Sequence, residues 1–188
     1  MRMTTRKHED LTGSLLVAMP TLHDPNFRRT ILFIARHEAE EGAMGVILNR
    51  PEGKRLSDLD DATPEPIGSV PVFEGGPVER HQLILARMTV LESGTRFESL
   101  GRDDSALIAS GTEGSHSMRA FVGYAGWSAG QLEREIAEKS WLIMPPEPAL
   151  LETPGSSEEG AAAWRGIMKK LGPWYHLMAG APDDLSLN

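Results

Sequence analysis

The chain has no cysteine, and that excludes disulfides, thiolate metal ligands, cysteine nucleophiles and thiol redox chemistry. Packing alone must hold the fold. Long apolar runs are missing as well. None approaches the roughly 20 residues that span a bilayer, so no membrane segment is expected. Leu15 to Met19 is too short for the core of a secretory signal and stops at Pro20. The cytoplasm is the default compartment. A dense basic helix or tail is also absent. The net charge is -8. Through Asp60 there are 9 basic and 9 acidic side chains, against 10 and 18 beyond it, so the acidic excess lies wholly in the later part. Duplex binding needs clustered Lys and Arg facing phosphates, so direct nucleic-acid binding is disfavoured.

Catalytic signatures are equally scarce. The six histidines form no H-E-x-x-H pair, and without cysteine the common mixed zinc sites are excluded, so no metal is assigned. Ser115 lacks the glycine two residues before it that a nucleophile elbow requires. Its neighbour His116 is adjacent in sequence, which says nothing of mutual geometry; a polar hinge is the simpler reading. Glu74 with Glu79 is a weak acid–base pair. No catalytic residue and no cofactor is assigned.

What is present, in 188 residues with 40% apolar side chains, is enough for one domain with a substantial core. A polar leader over 1–10, a domain over 11–177 and a solvated tail over 178–188 are expected. Gly13 to Met19 reads as a strand buried on both faces, since it is apolar throughout rather than alternating. Thr30–Ala35 and Met44–Leu48 read as two more strands joined by a charged turn, a hairpin pattern. Leu56–Leu59 reads as one helical turn. Further strands are expected at Val72-Phe73, Gln82–Val90, Phe97–Leu100, Met118–Tyr124 and Trp141–Met144. Asp103 or Asp104 is placed to cap a short helix through Ala109.

Ser128 with Gln131 forms an S-x-x-Q capping box before a helix over roughly 129–139, where Glu135 is spaced to pair with Lys139. Ser156 with Glu159 opens a last helix whose buried stripe is Trp164, Ile167, Met168 and Leu171, stopped by Gly172-Pro173. Strands outnumber helices and both clear helices come late. That pattern is α+β rather than doubly wound.

Binding candidates gather where strands end. Arg28, Arg29 and Arg50 each adjoin a strand end, and an arginine fork can hold phosphate or carboxylate bidentately. Their plainer role is pairing with Asp24 or Glu74 to hold loops. Gly75-Gly76-Pro77 is a tight turn whose N–H groups could face an anion, without the spacing of a P-loop or dinucleotide fingerprint. Trp127 and Trp141 read as packing residues, with partner recognition the alternative.

Several blocks, in order, carry a resemblance: Gly13–Pro20, Asp24-Pro25-Asn26-Phe27-Arg28-Arg29-Thr30, Gly42–Pro51 and Gly75-Gly76-Pro77-Val78. Gly123-Tyr124-Ala125-Gly126-Trp127 through Glu133 is the most characteristic. The chain resembles the bacterial YqgE/AlgH family over about residues 11–177. The resemblance implies a compact α+β fold, a mixed or bifurcated sheet with a small barrel-like core flanked by helices. It transfers no catalytic residue. One member has been called a transcriptional regulator of alginate synthesis, but this chain shows no helix-turn-helix, so direct DNA contact does not follow.

The reading is therefore a non-enzymatic regulatory or adaptor protein that binds a protein partner or a small anionic ligand. Its candidate contacts are Asp24, Arg28, Arg29, Asn49, Arg50, Gly75, Gly76, Pro77, Tyr124 and Trp127. The alternatives are a hydrolase-like enzyme built from remote residues and a regulator that binds DNA directly. No heptad or other assembly signal sets an oligomeric state.

Overall fold

The computed structural model describes residues 10–92, 94–101, 116–152 and 156–181. The leader before Asp10, the helix expected after Asp103 or Asp104, and Ser115 lie outside them. Nine strands run in the order β1 Leu15–Ala18, β2 Ile31–Glu38, β3 Gly42–Ile47, β4 Pro51–Arg55, β5 Pro71–Glu74, β6 Val78–Leu91, β7 Gly94–Leu100, β8 His116–Trp127 and β9 Trp141–Met144. The described helices are α1 Leu56–Leu59, α2 Gln131–Ala137, α3 Pro148–Glu152, α4 Ser157–Leu171 and α5 Pro173–Ala179. The class is α+β, with one mixed sheet curled into a half-barrel.

The sheet forks at β8. One edge of β8 pairs antiparallel with β6 from Val78↔Tyr124 to Thr89↔His116. Its other edge is shared: β5 lies parallel along Ala120–Val122, then β3 takes over antiparallel at Ala125–Trp127. From β3 the sheet continues through β2 and β1 to β9, and from β5 it ends at β4. The hairpin expected between the second and third strands is present as the antiparallel β2–β3 pair.

Burial follows from this layout. In β1 all four residues are buried, because opposite faces of the strand meet different cores. Leu16 and Ala18 join Leu32, Ile47, Trp127 and Trp141 on one side. Leu15 joins Phe33, Phe73 and Phe121 on the other, and Val17 meets Trp164, Ile167 and Met168 of α4. Fully burying each of these large α4 side chains contributes about 1.5–3 kcal/mol. The Trp164 indole N–H also donates to the Ala18 carbonyl at 2.8 Å.

Helix α4 starts as its sequence predicts. Ser156 Oγ accepts from Glu159 N at 3.2 Å, and the Glu159 carboxylate accepts from Ser156 N. Leu171, expected in the buried stripe, is instead exposed at 37%. Helix α2 is shorter than expected at both ends. Gln131 reaches back to Ser128 N, but the helix begins only after Gly130 in a left-handed conformation, and Lys139 at φ 61 closes it. Glu135 accepts from two indole groups, described below, and from Gln131 Nε2, where an ion pair with Lys139 was expected.

Three elements had no sequence signal. Strand β4 is polar and exposed after Pro51, α3 falls in a stretch read as loop, and α5 starts at the Pro173 read only as a helix stop and runs into the first residues of the expected tail. Ala179, expected in the solvated tail, is buried against α4 because Pro173 starts a new helix at its first position.

Candidate functional site

Four arginines from three separate segments converge on one cleft of about 670 Å³. Arg28 and Arg29 come from the loop before β2, Arg50 from the turn between β3 and β4, and Arg80 from the start of β6. Glu52 and Glu74 also line it, as do Ser157 and Ala161 from the first turns of α4.

Each arginine sits differently. Arg50 is a strut. Its guanidinium donates to the carbonyls of Asn26 at 2.9 Å and Arg28 at 3.2 Å, and to Glu74 Oε2 at 3.3 Å. It thereby ties the loop before β2 to β5. Glu74 uses its other oxygen, Oε1, to accept from Arg80 at 2.7 Å, so one carboxylate bridges two arginines. Arg80 is the more exposed of the two, at 60% against 24% for the Arg50 side chain. Arg28 is exposed. Arg29 lies with its guanidinium 5.8 Å from the Trp164 ring and donates to Ala181 O at 2.8 Å.

Among the described residues, two of the three non-glycine residues with positive φ lie beside this cleft: Arg29 at φ 58 and Glu79, next to Arg80, at φ 48. Such left-handed backbone costs on the order of 1 kcal/mol or more per residue and persists only where its surroundings impose it. At Arg29 the constraint is visible. Asn49 Nδ2 donates to Arg29 O at 2.9 Å and to Gly160 O at 3.1 Å, while its Oδ1 accepts from Ile31 N at 2.8 Å. Asn49 is buried, and its amide clasps the loop, the start of β2 and helix α4 together.

The sequence-predicted residues thus divide. Arg28, Arg29, Asn49 and Arg50 are brought together around the cleft. Asp24 stands outside the lining; its Oδ1 accepts from Asn26 N at 2.7 Å and shapes the loop that carries the arginines. Gly75 and Gly76 are buried at the fork. A Cβ on Gly75 would collide with the Gly123 carbonyl, and one on Gly76 with Tyr124. Close backbone approach is thus why glycine stands there. Pro77 and Tyr124 are half-buried beside them and do not line the cleft.

Trp127 belongs to the core. It stacks on Phe27 at 6.2 Å and meets Trp141 edge-on at 6.1 Å. Both indole N–H groups donate to the same oxygen, Glu135 Oε2, at 2.9 Å and 2.8 Å.

Three residues were missed by sequence reasoning. Arg80 stands three residues beyond Pro77 of the glycine turn, but only folding reveals that it returns to Glu74. Glu135 looked like an ordinary surface carboxylate. Arg119 sits in β8 among apolar residues and is buried at 2% exposure. It donates to Leu48 O at 3.3 Å and Leu150 O at 3.0 Å, with Phe73 4.6 Å beneath it. Burial pulls its pKa down to about 10.

For chemistry, the cleft offers four arginines, two carboxylates and one hydroxyl. Ser157 Oγ points to Pro51 O at 3.4 Å, and among the described residues no histidine lines the cleft to act as its base. Buried His37 is spent elsewhere. Its Nδ1 accepts from Leu11 N at 3.1 Å and its Nε2 meets Glu133 Oε1 at 2.9 Å.

Comparison with known proteins places the chain in a family. The profile of the AlgH-like family matches residues 15–176. The chain belongs to the AlgH-like family. Its relatives include the UPF0301 protein AlgH of Pseudomonas aeruginosa, 37% identical over 168 residues that cover 82% of this chain and 88% of that one. A UPF0301 protein of Streptomyces avermitilis is 35% identical over 194 residues, covering 95% of both. The solution structure of P. aeruginosa AlgH superposes with a TM-score of 0.60 at 31% identity, over 96% of this chain and 98% of AlgH. A crystal structure from Corynebacterium diphtheriae reaches 0.69 at 22% identity, over 94% and 95%. The AlgH-like fold therefore extends across the described chain. No described helix of this member is long and apolar enough to cross a membrane.

Proposed function

We propose that this protein binds a small anionic ligand in the arginine cleft and acts through that binding rather than by catalysis. One observation carries the reading. A chain of net charge -8 concentrates Arg28, Arg29, Arg50 and Arg80 around a single concavity. Guanidinium groups recognise oxyanions through paired, charge-assisted hydrogen bonds. A cavity of this volume falls in the range of ordinary small-ligand sites, about 300–1,000 Å³. The concave placement also favours a small molecule over duplex DNA, which needs a basic surface tracking the phosphates. A regulatory role exerted in the cytoplasm is consistent with this reading, and direct DNA contact is not required for it.

Calorimetric titration with a panel of small mono- and dianions tests the proposal. Saturable binding that weakens with salt and is lost in Arg28→Ala and Arg80→Ala supports it. A panel with no binding, or binding untouched by both substitutions, overturns it.

A second reading, an adaptor for another protein, draws on α5. Trp174 and Leu177 are exposed at 66% and 70%, spaced for one helix face, and large exposed apolar groups favour protein contacts. Recovery of a specific partner by wild type and its loss with Trp174→Ala would favour that reading.

A further inference from the structure

We propose that the edge strand β7 is a docking surface for a second copy of this chain, pairing antiparallel with its own counterpart about a two-fold axis at Phe97. The inference is independent of what the arginine cleft binds.

The first observation is an open edge. Strand β7 pairs with β6 alone, through an unbroken register from Leu85↔Leu100 to Leu91↔Gly94. Among the described residues its backbone makes no hydrogen bond to any other segment. Such an edge is a template for another strand, and proteins blunt it with proline, a bulge or an inward-pointing charge. Strand β7 has no proline and no bulge. The side chain it turns inward is Phe97, 6.0 Å from Phe33 and 6.4 Å from Phe121.

The second is the charge pattern. Arg96 and Glu98 flank Phe97 and so share the outer face of the sheet. Arg96 is exposed and has no ion pair or hydrogen bond among the described residues. Glu98 is held by Arg87, whose Nε and Nη2 both donate to Oε2, at 3.0 Å and 2.8 Å. Its other oxygen, Oε1, has no partner among the described residues. Each copy thus presents an unpaired cation beside a fixed carboxylate with one open oxygen.

The third is register. Two strands joined in one sheet keep their pleats in step, so only side chains of the same face can stand opposite each other. An axis at Arg96 would set cation against cation, and one at Glu98 anion against anion; both are destabilising. An axis at Phe97 sets Arg96 opposite the partner's Glu98 and, by symmetry, Glu98 opposite the partner's Arg96. Thr95 then meets the partner's Ser99, a favourable pairing of hydroxyls. Among these three registers only this one pairs opposite charges. Seven residues a side bury less than the roughly 1,200 Å² of a stable complex, so the dimer should be transient and concentration-dependent.

Sedimentation velocity of the full chain over about 10 µM to 1 mM, the range of weak association, is the test. The mass should rise from 20.6 kDa towards twice that value. Arg96→Glu and Glu98→Lys should each weaken self-association about tenfold or more, because each sets two like-charged pairs across the axis. An equimolar mixture of the two variants should associate again, since every carboxylate then faces a cation of the other chain. Arg96 is exposed, so Arg96→Glu should leave the unfolding midpoint unchanged. Glu98→Lys also loses the Arg87 pair; if it does not fold, Arg96→Glu and Arg96→Lys carry the test, the first losing association and the second keeping it.

A chain that stays monomeric up to about 1 mM would overturn the proposal. A dimer that Arg96→Glu leaves intact would do the same, as would one abolished by Trp174→Ala, which would put the contact on α5. Folded variants that remain apart when mixed would overturn the register.

Discussion

Glycine to alanine inside a helix ordinarily stabilises a protein, by about 1 kcal/mol, because alanine restricts the unfolded chain and favours the helix. Helix α4 holds two glycines for which the structure requires opposite outcomes. At Gly166 a Cβ would meet nothing within 4 Å, so Gly166→Ala should raise stability by about 1 kcal/mol. At Gly160 a Cβ would overlap the Asn49 carbonyl oxygen and lie 2.9 Å from its carbon. Both atoms are backbone, so no side chain can swing away. Relief requires the start of α4 to retreat by on the order of 1 Å to reach normal contact distance.

That retreat opposes the Asn49 Nδ2 bond to Gly160 O, 3.1 Å long, and the burial of Trp164 one turn on. Overpacking of this kind costs about 1–3 kcal/mol and a weakened buried hydrogen bond about 1 kcal/mol more. After the helix-propensity gain is subtracted, Gly160→Ala should lose about 1–3 kcal/mol. For a chain of this length such a loss is a fall of roughly 2–12 °C in Tm. Urea unfolding followed by circular dichroism, with both variants beside wild type, gives the comparison. If Gly160→Ala is as stable as wild type or more so, the clasp between Asn49 and α4 is wrong.

Glu135→Ala should destabilise by about 2–4 kcal/mol, since two buried indole donors lose their shared acceptor; Glu135→Gln, which keeps an oxygen there, should lose less. Equal losses in urea unfolding would show that the carboxylate oxygen is not what the indoles need. Arg119→Ala should cost about 3 kcal/mol through a cavity and the unpaired carbonyls of Leu48 and Leu150, and a midpoint unchanged in thermal unfolding would contradict it. The sign of its pH effect is also fixed. With a folded-state pKa of about 10, below the ordinary arginine value, the native chain releases this proton first. The contribution of Arg119 to stability therefore rises as pH climbs above about 10, and Arg119→Met should flatten that rise in alkaline unfolding curves.

Much of the fold is legible because local chemistry and tertiary packing agree. The apolar run at Leu15–Ala18, the β2–β3 hairpin and the Ser156 cap each state their structure within a few residues. Strand β4 does not, because an exposed edge strand has no alternation to preserve; Pro51 and Gly53 argue against a strand, and pairing with β5 overrides them. The site was half legible. Arginines beside strand ends were visible, and their convergence was a matter of topology. Arg80 reaches Glu74 only because β6 leaves the glycine turn through a left-handed Glu79. Asn49 looked like a ligand-facing group, whereas the fold turns its whole amide inward. Polarity in a sequence does not distinguish a residue that awaits a ligand from one that binds its own backbone.

The fork at β8 has a consequence for how the protein comes into being. Strands β3, β5 and β6 all precede β8 in the chain, and all three pair with it. During synthesis they leave the ribosome as strands whose central neighbour has not yet been made. Strand β1 likewise waits for β9, and both faces of the early hairpin wait for α2 and α4. The emerging chain must keep these apolar edges unpaired until residues beyond Trp127 appear, and late closure of distant contacts is slow. Nascent chains stalled before β8 should therefore depend on chaperones, and release from that dependence should coincide with the arrival of this one strand.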